Sequence, residues 1–135
     1  MPEYEIMREN SQIFANYTGT GIILNLTYYM AILGGLTTSS LAETATQTKI
    51  NNKGLISNVR LNINTNSRAA NTYYTLRDSV NAIGPKTIAA GVTGEILYTD
   101  TFALVAGDVI NHRIDCLDVG AGSFQAIIQF KITYS

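Results

Sequence analysis

From Gly54 onward the chain alternates in a way that only an extended strand with one buried face can use. Leu55, Val59, Leu61 and Ile63 fall on one side, while Asn58, Arg60, Asn62 and Asn64 fall on the other. Successive side chains of a strand point to opposite faces, so a period of two marks a half-buried strand. The run 65–71 supplies turn formers, and Thr72 to Asp78 reads as the returning strand. Gly54 to Asp78 is therefore expected to be two strands and one loop, closing directly as a hairpin. Leu55, Val59, Leu61, Ile63, Tyr74 and Leu76 are its expected core face, and Arg60, Tyr73 and Arg77 its outward one.

The same period recurs elsewhere. It is cleanest at the end, where Phe124, Ala126, Ile128, Phe130, Ile132 and Tyr134 share one side. Val109 to Leu117 places Ile110, His112, Ile114 and Cys116 together. Ile22, Leu24, Leu26, Tyr28, Met30 and Ile32 form another strand, ended by Gly34-Gly35. Thr44 to Ile50, Lys86 to Ala90 and Glu95 to Phe102 complete the set, because Thr and other β-branched residues favour pleated surfaces. Ser40 is placed to cap one helical turn. Ser79 to Pro85 reads as a loop, and Ala106-Gly107-Asp108 as a break. About eight strands with turn signals between them predict an all-β, antiparallel β-sandwich or jelly roll. Residues 21–135 form that domain. Residues 1–20 carry isolated apolar hooks without a sustained period, and read as an extended N-terminal arm or an added edge strand.

Composition narrows the function classes. Charged residues are only 14% of the 135, well below the usual quarter, so Asn, Thr, Ser and Gln carry the surface. Such a surface suits a chain that packs against copies of itself. The nine Lys and Arg are scattered and the net charge is −1, which argues against nucleic acid as a partner. The apolar run from Ile22 to Leu33 is too short and too polar for a membrane span. The opening MPEYEIMREN lacks the apolar core of a secretory signal, so synthesis without export is expected. One cysteine, Cys116, forms no internal disulfide, and no Cys/His spacing fits zinc. No cofactor is expected.

Taken in order, GLISNVRLNINTN, then TYYTLRD, a Thr-Gly turn, VAGDVINHRI and the closing SFQAIIQFKI resemble small TNF/C1q-like jelly rolls. Domains of that kind occur in phage and viral structural proteins, such as head decoration proteins, head fibres and receptor-binding tips. The resemblance covers roughly residues 49–134, and its motifs Tyr-Thr-Leu-Arg and Ala-Gly-Asp are short. It implies a non-enzymatic virion protein, a capsid decoration or appendage subunit assembling as a homotrimer. Its partners would be itself and other virion proteins such as the major capsid protein. The alternative is a glycan- or receptor-binding adhesion module, with a host-surface glycan met by loops at 66–71, 79–85 and 118–122.

Candidate sites follow from the same residues. His112, the single histidine, alternates with Ile110 and Ile114 and reads as a core or interface residue; three copies about a threefold axis would be needed to chelate an ion. Cys116 shares its face about 13 Å along the strand, too far for a Cys–His pair. Asp100, Asp108, Asp115 and Asp118 are candidates for glycosidase chemistry only because they cluster in sequence. Asp108 after Gly107 reads instead as a turn residue. Gly19-Thr20-Gly21 and Gly120-Ala121-Gly122 lack the helix and lysine of a phosphate loop, and are turns. Tyr28-Tyr29 and Tyr73-Tyr74 each send one ring to either face, the outer one suited to a protein contact or to sugar stacking. The interface candidates are Ile13, Phe14, Tyr17, Tyr29, Arg60, Tyr73, Arg77 and His112. No catalytic or metal residue is expected.

Overall fold

The computed structural model describes residues 6–16, 22–23, 26–32, 42–116 and 120–134. Their strands are β1 (Ile6–Asn16), β2 (Ile22–Ile23), β3 (Leu26–Met30), β4 (Thr48–Lys49), β5 (Gly54–Asn66), β6 (Thr72–Asp78), β7 (Val80–Ile88), β8 (Gly94–Tyr98), β9 (Phe102–Leu104), β10 (Val109–Cys116), β11 (Gly120–Ala121) and β12 (Phe124–Tyr134). A single 3₁₀ turn, Glu43–Ala45, stands where a helical turn and the start of a strand were expected. Ser40 and Gly34-Gly35 lie outside the described residues.

Two antiparallel sheets form a β-sandwich. The first has the order β1-β12-β5-β8, with β9 continuing beside β5; the second has the order β3-β10-β6-β7, with β4 continuing beside β10. A small β2–β11 ladder stands apart. The pairing is nested. The first long strand pairs with the last (β1–β12), β3 with β10, β5 with β8, and β6 with β7. Successive nested pairs alternate between the two sheets.

The core between the sheets holds Ile56, Val59, Leu61, Ile63, Ile128 and Phe130 from one side, and Tyr74, Leu76, Ile110 and Ile114 from the other. Each such aliphatic or aromatic side chain contributes about 1.5–3 kcal/mol by leaving water. Along β12 and β10 the inward residues are those that the period-two reading names.

Three expectations are corrected. First, β5 and β6 are not a hairpin. They belong to different sheets, and 67–71 crosses from one to the other. Second, Leu55 is 40% exposed, and Ile56 takes its place in the core. The cause is Asn58, at φ 53°. Gln129 pairs with Arg60 but Lys131 pairs with Ser57, so Asn58 and Val59 together oppose Phe130. This β-bulge inserts one residue and reverses the phase of everything before it. Opposite it, the expected strand from Glu95 to Phe102 breaks at Thr99, Asp100 and Thr101, leaving β8 and β9. Third, 79–85 is mostly strand. β7 is the edge of its sheet, where Pro85 gives up no ladder hydrogen bond to an outer neighbour.

Of the two roles open to residues 1–20, the structure builds the edge strand over Ile6–Asn16. It pairs with β12 from Ile6↔Tyr134 to Asn16↔Phe124.

Candidate functional site

The interface candidates do not form one patch. Ile13 and Phe14 lie in β1 at the register positions of Ile127 and Ala126, and Tyr17 lies outside the described residues. Arg60 projects from the outer face of the β1–β12–β5–β8 sheet. Tyr29, Tyr73 and Arg77 share the outer face of the other sheet, on the opposite side of the sandwich. His112 is on neither. It is 0% exposed, inside the core, and has no atom to offer a second chain. Its expected interface role is corrected, and its core reading stands.

The surroundings of His112 are aromatic. Its Nδ1 lies 2.8 Å from the Tyr74 hydroxyl, and its ring meets the Phe130 edge at 5.4 Å between centroids. Burial pushes the imidazole down to about 3 and raises the Tyr74 phenol well above its ordinary value, with Tyr98 adding to the second effect. A protonated phenol and a neutral imidazole share this hydrogen bond, and the imidazole tautomer sets its direction. Tyr98 stacks on Tyr74 at 6.1 Å, and burial, then Asp100, pushes its own phenol up to about 12. A base without access to substrate does no general-base chemistry, so this cluster is structural.

The outer face of the β3–β10–β6–β7 sheet is a matched polar layer. The Asp115 carboxylate accepts from Thr27 Oγ1 at 2.7 Å and from Arg113 Nε at 2.8 Å. Arg77 donates to Glu43 at 2.9 Å, to Asn81 at 2.7 Å and to the Ser79 carbonyl at 2.9 Å. The Glu43 hydrogen bond, ahead of its charge, raises the Arg77 guanidinium above its ordinary value. Asn111 donates to Thr46 Oγ1 at 3.0 Å. Glu43 and Thr46, at the 3₁₀ turn, thus supply partners to this face.

The weighed carboxylates are occupied elsewhere. Asp108 accepts the Val105 amide at 2.8 Å, the turn role expected of it, and Asp78 accepts the Val109 amide at 3.1 Å. Burial is the main cause that raises the Asp78 carboxyl, and the neighbouring Asp108 acts the same way. Asp100 holds Lys86 at 2.8 Å, and that hydrogen bond lowers its carboxyl. Asp118 lies outside the described residues. Among the described residues, no group of three or more His, Cys, Asp or Glu could hold a metal ion.

Two residues of the expected binding loop at 66–71, Asn66 and Arg68, are buried. Asn66 donates to the Ala89 and Val92 carbonyls at 3.1 and 3.0 Å, and buried Arg68 donates to the Asn71 carbonyl and Thr72 Oγ1. Ser67 and Ser123 exchange backbone and hydroxyl bonds, and a Cβ on Gly122 would clash with the Ser67 carbonyl.

What the sequence reading did not find is a cleft of about 200 Å³ over the Asn58 bulge, lined by Asn58, Arg60, Leu97, Gln129, Phe130 and Lys131. Arg60 Nε donates to Gln129 Oε1 at 3.0 Å, which orients the guanidinium; its Nη1 stands 3.9 Å from Glu95. Leu97, 53% exposed, forms one side. The available signal was the spacing Ile56 to Val59, three residues where strict alternation would need two or four, with Asn in the gap. No protein-family model, curated protein or solved structure matches this chain.

Proposed function

We propose that the protein is a non-enzymatic virion structural protein, a capsid decoration or appendage subunit that assembles as a homotrimer on a TNF/C1q-like jelly roll. The observation that carries this reading is the nested pairing β1–β12, β3–β10, β5–β8 and β6–β7, dealt alternately to two sheets. A jelly roll is a pair of sheets wound in that order. Fold alone does not assign function. Support for the assembly comes from the surface, where charge is scarce and large apolar side chains such as Leu55, Val80 and Val105 stand exposed. Burying such groups against identical copies is the ordinary route to a closed oligomer. Asp108 is held in a turn, Asp115 by Arg113 and His112 by Tyr74, and these structural commitments support binding over catalysis as the work of the molecule.

Mass in solution tests the proposal. Light scattering across a concentration series is expected to return three times the mass of one chain, and purified particles of the source virus are expected to contain the protein. A chain that stays monomeric at high micromolar concentration and is absent from particles overturns it.

A further inference from the structure

We propose that the cleft over the Asn58 bulge is a binding site for a sugar acid, a single carbohydrate ring bearing a carboxylate. The proposal gives the adhesion alternative a site and a ligand class, and it does not depend on the trimer.

The argument starts from the bulge. A non-glycine residue at positive φ costs free energy, and β-bulges concentrate where a strand must re-aim a side chain. Here the extra residue opens the ladder between Arg60 and Ser57 and leaves a recess of about 200 Å³ on an otherwise pleated face. Phe130 is its floor and Leu97 its apolar wall. That volume suits one ring rather than an extended chain.

The polar groups around the recess are complementary to such a ring. Arg60 and Lys131 bring two positive charges to one small opening, with no acidic side chain among the lining residues. The Gln129 amide oxygen takes Arg60 Nε, so the guanidinium is held and its outer edge is left with no hydrogen bond among the described residues. A carboxylate can take that edge in the two-pronged geometry guanidinium favours. Lys131 lies at the register position of Glu9 in β1, and the Lys131→Gln variant below reads what its charge contributes. The side-chain amides of Asn58 and Gln129 offer both donors and acceptors, which hydroxyls of a sugar require. The apolar face of a ring can lie on Leu97.

Glu95 is the natural competitor. It reaches Arg60 only at 3.9 Å, beyond hydrogen-bond range, with both side chains well exposed. An arriving carboxylate would displace this weak contact at little cost.

The test is titration of the isotope-labelled full-length chain with the methyl glycoside of glucuronic acid, read by backbone amide shifts. Methyl glucoside and acetate serve as comparators. Shifts are expected at Asn58, Arg60, Leu97, Gln129 and Lys131, with glucuronide binding about tenfold tighter than either comparator. Arg60→Gln and Lys131→Gln should each weaken binding about tenfold, whereas Glu95→Gln should tighten it by removing the competitor. Retained dispersion of the amide spectrum shows that each variant is folded. Equal binding of methyl glucoside overturns the charge requirement, and equal binding of acetate overturns the sugar. Absence of shifts at these residues overturns the site, as does a Glu95→Gln variant that binds more weakly. Mass is measured on the same sample, so failure of the trimer and failure of the cleft are read separately.

Discussion

The two outer faces of the sandwich begin from the same rule and end differently. Both are built by strands that alternate apolar inward and polar outward. On the β3–β10–β6–β7 sheet, outward Asn111 is 0% exposed and Asp115 only 4%. There Glu43 and Thr46 reach the strands from the 3₁₀ turn, and most buried polar groups sit against a partner (Thr27, Arg113, Thr46, Glu43), while Asn111 Oδ1 has none among the described residues. On the β1–β12–β5–β8 sheet, Arg60 has one hydrogen bond and a loose acid, and Leu97 faces water. A covered face must satisfy its polar groups, because an unpaired buried donor costs about 1–3 kcal/mol. An uncovered face is free of that demand and can keep groups in reserve for a ligand. Stability is thus expected to lie in the covered face and recognition in the open one.

The largest effect should come from the layer between the faces, and it serves as the reference for the rest. His112 is neutral in the fold with its imidazole pushed down to about 3, while the unfolded chain protonates near the ordinary value of about 6.5. Its contribution is therefore complete above pH about 6.5 and is lost as pH falls toward 3, at about 1.4 kcal/mol per pH unit. The raised Asp78 carboxyl works the other way, since it favours the fold on protonation. Urea unfolding between pH 7 and 5 should show this slope, and His112→Gln should flatten it. The chain has one histidine, so an unchanged slope in that variant would refute the assignment.

Next in size is the covered face. Asp115→Ala strips Arg113 and Thr27 of their acceptor where water reaches poorly, and should cost about 2–3 kcal/mol in unfolding free energy. Glu43→Ala breaks the Arg77 contact nearer the surface, and should cost about 1 kcal/mol, less in high salt. Denaturant midpoints at two ionic strengths check both. If Asp115→Ala is as mild as a surface change, the covered face is not sealed and the comparison fails.

The sequence made the two layers legible but not which strands would meet. Alternation in β10 and β12 names their inward residues correctly, because side-chain direction is a local property of an extended chain. Pairing is not local. The five residues 67–71 suit a hairpin and a sheet crossing equally well, and what decides is that β5 finds β12, some sixty residues on. Pro85 looked like loop punctuation because an edge strand cannot be told from an inner one before the order is known. The Asn58 bulge broke the period that named Leu55 as core, and the cleft follows from that same break. Arg60 was legible as an outward residue; its neighbours Leu97 and Lys131 come from strands that only the fold brings beside it. Burial of Asn111 was hidden for a similar reason, since its partner Thr46 is far away in the chain.

The smallest expected effect is the one that separates the faces most directly. Arg60→Gln removes a cation whose single hydrogen bond is to Gln129 and whose acid neighbour stands 3.9 Å away in water. Exposed pairs of this kind are worth little, so unfolding free energy should change by no more than about 0.5 kcal/mol. Lys131→Gln should be equally mild. The two substitutions together leave the pleat, the bulge and the Phe130 floor in place, so any loss of ligand binding in the double variant cannot be charged to the fold. A cost above about 1.5 kcal/mol for Arg60→Gln alone would mean that the guanidinium holds the bulge shut against β12. Arg60 would then be doing for the open face what Asp115 does for the covered one, and the division between a face for stability and a face for recognition would be lost.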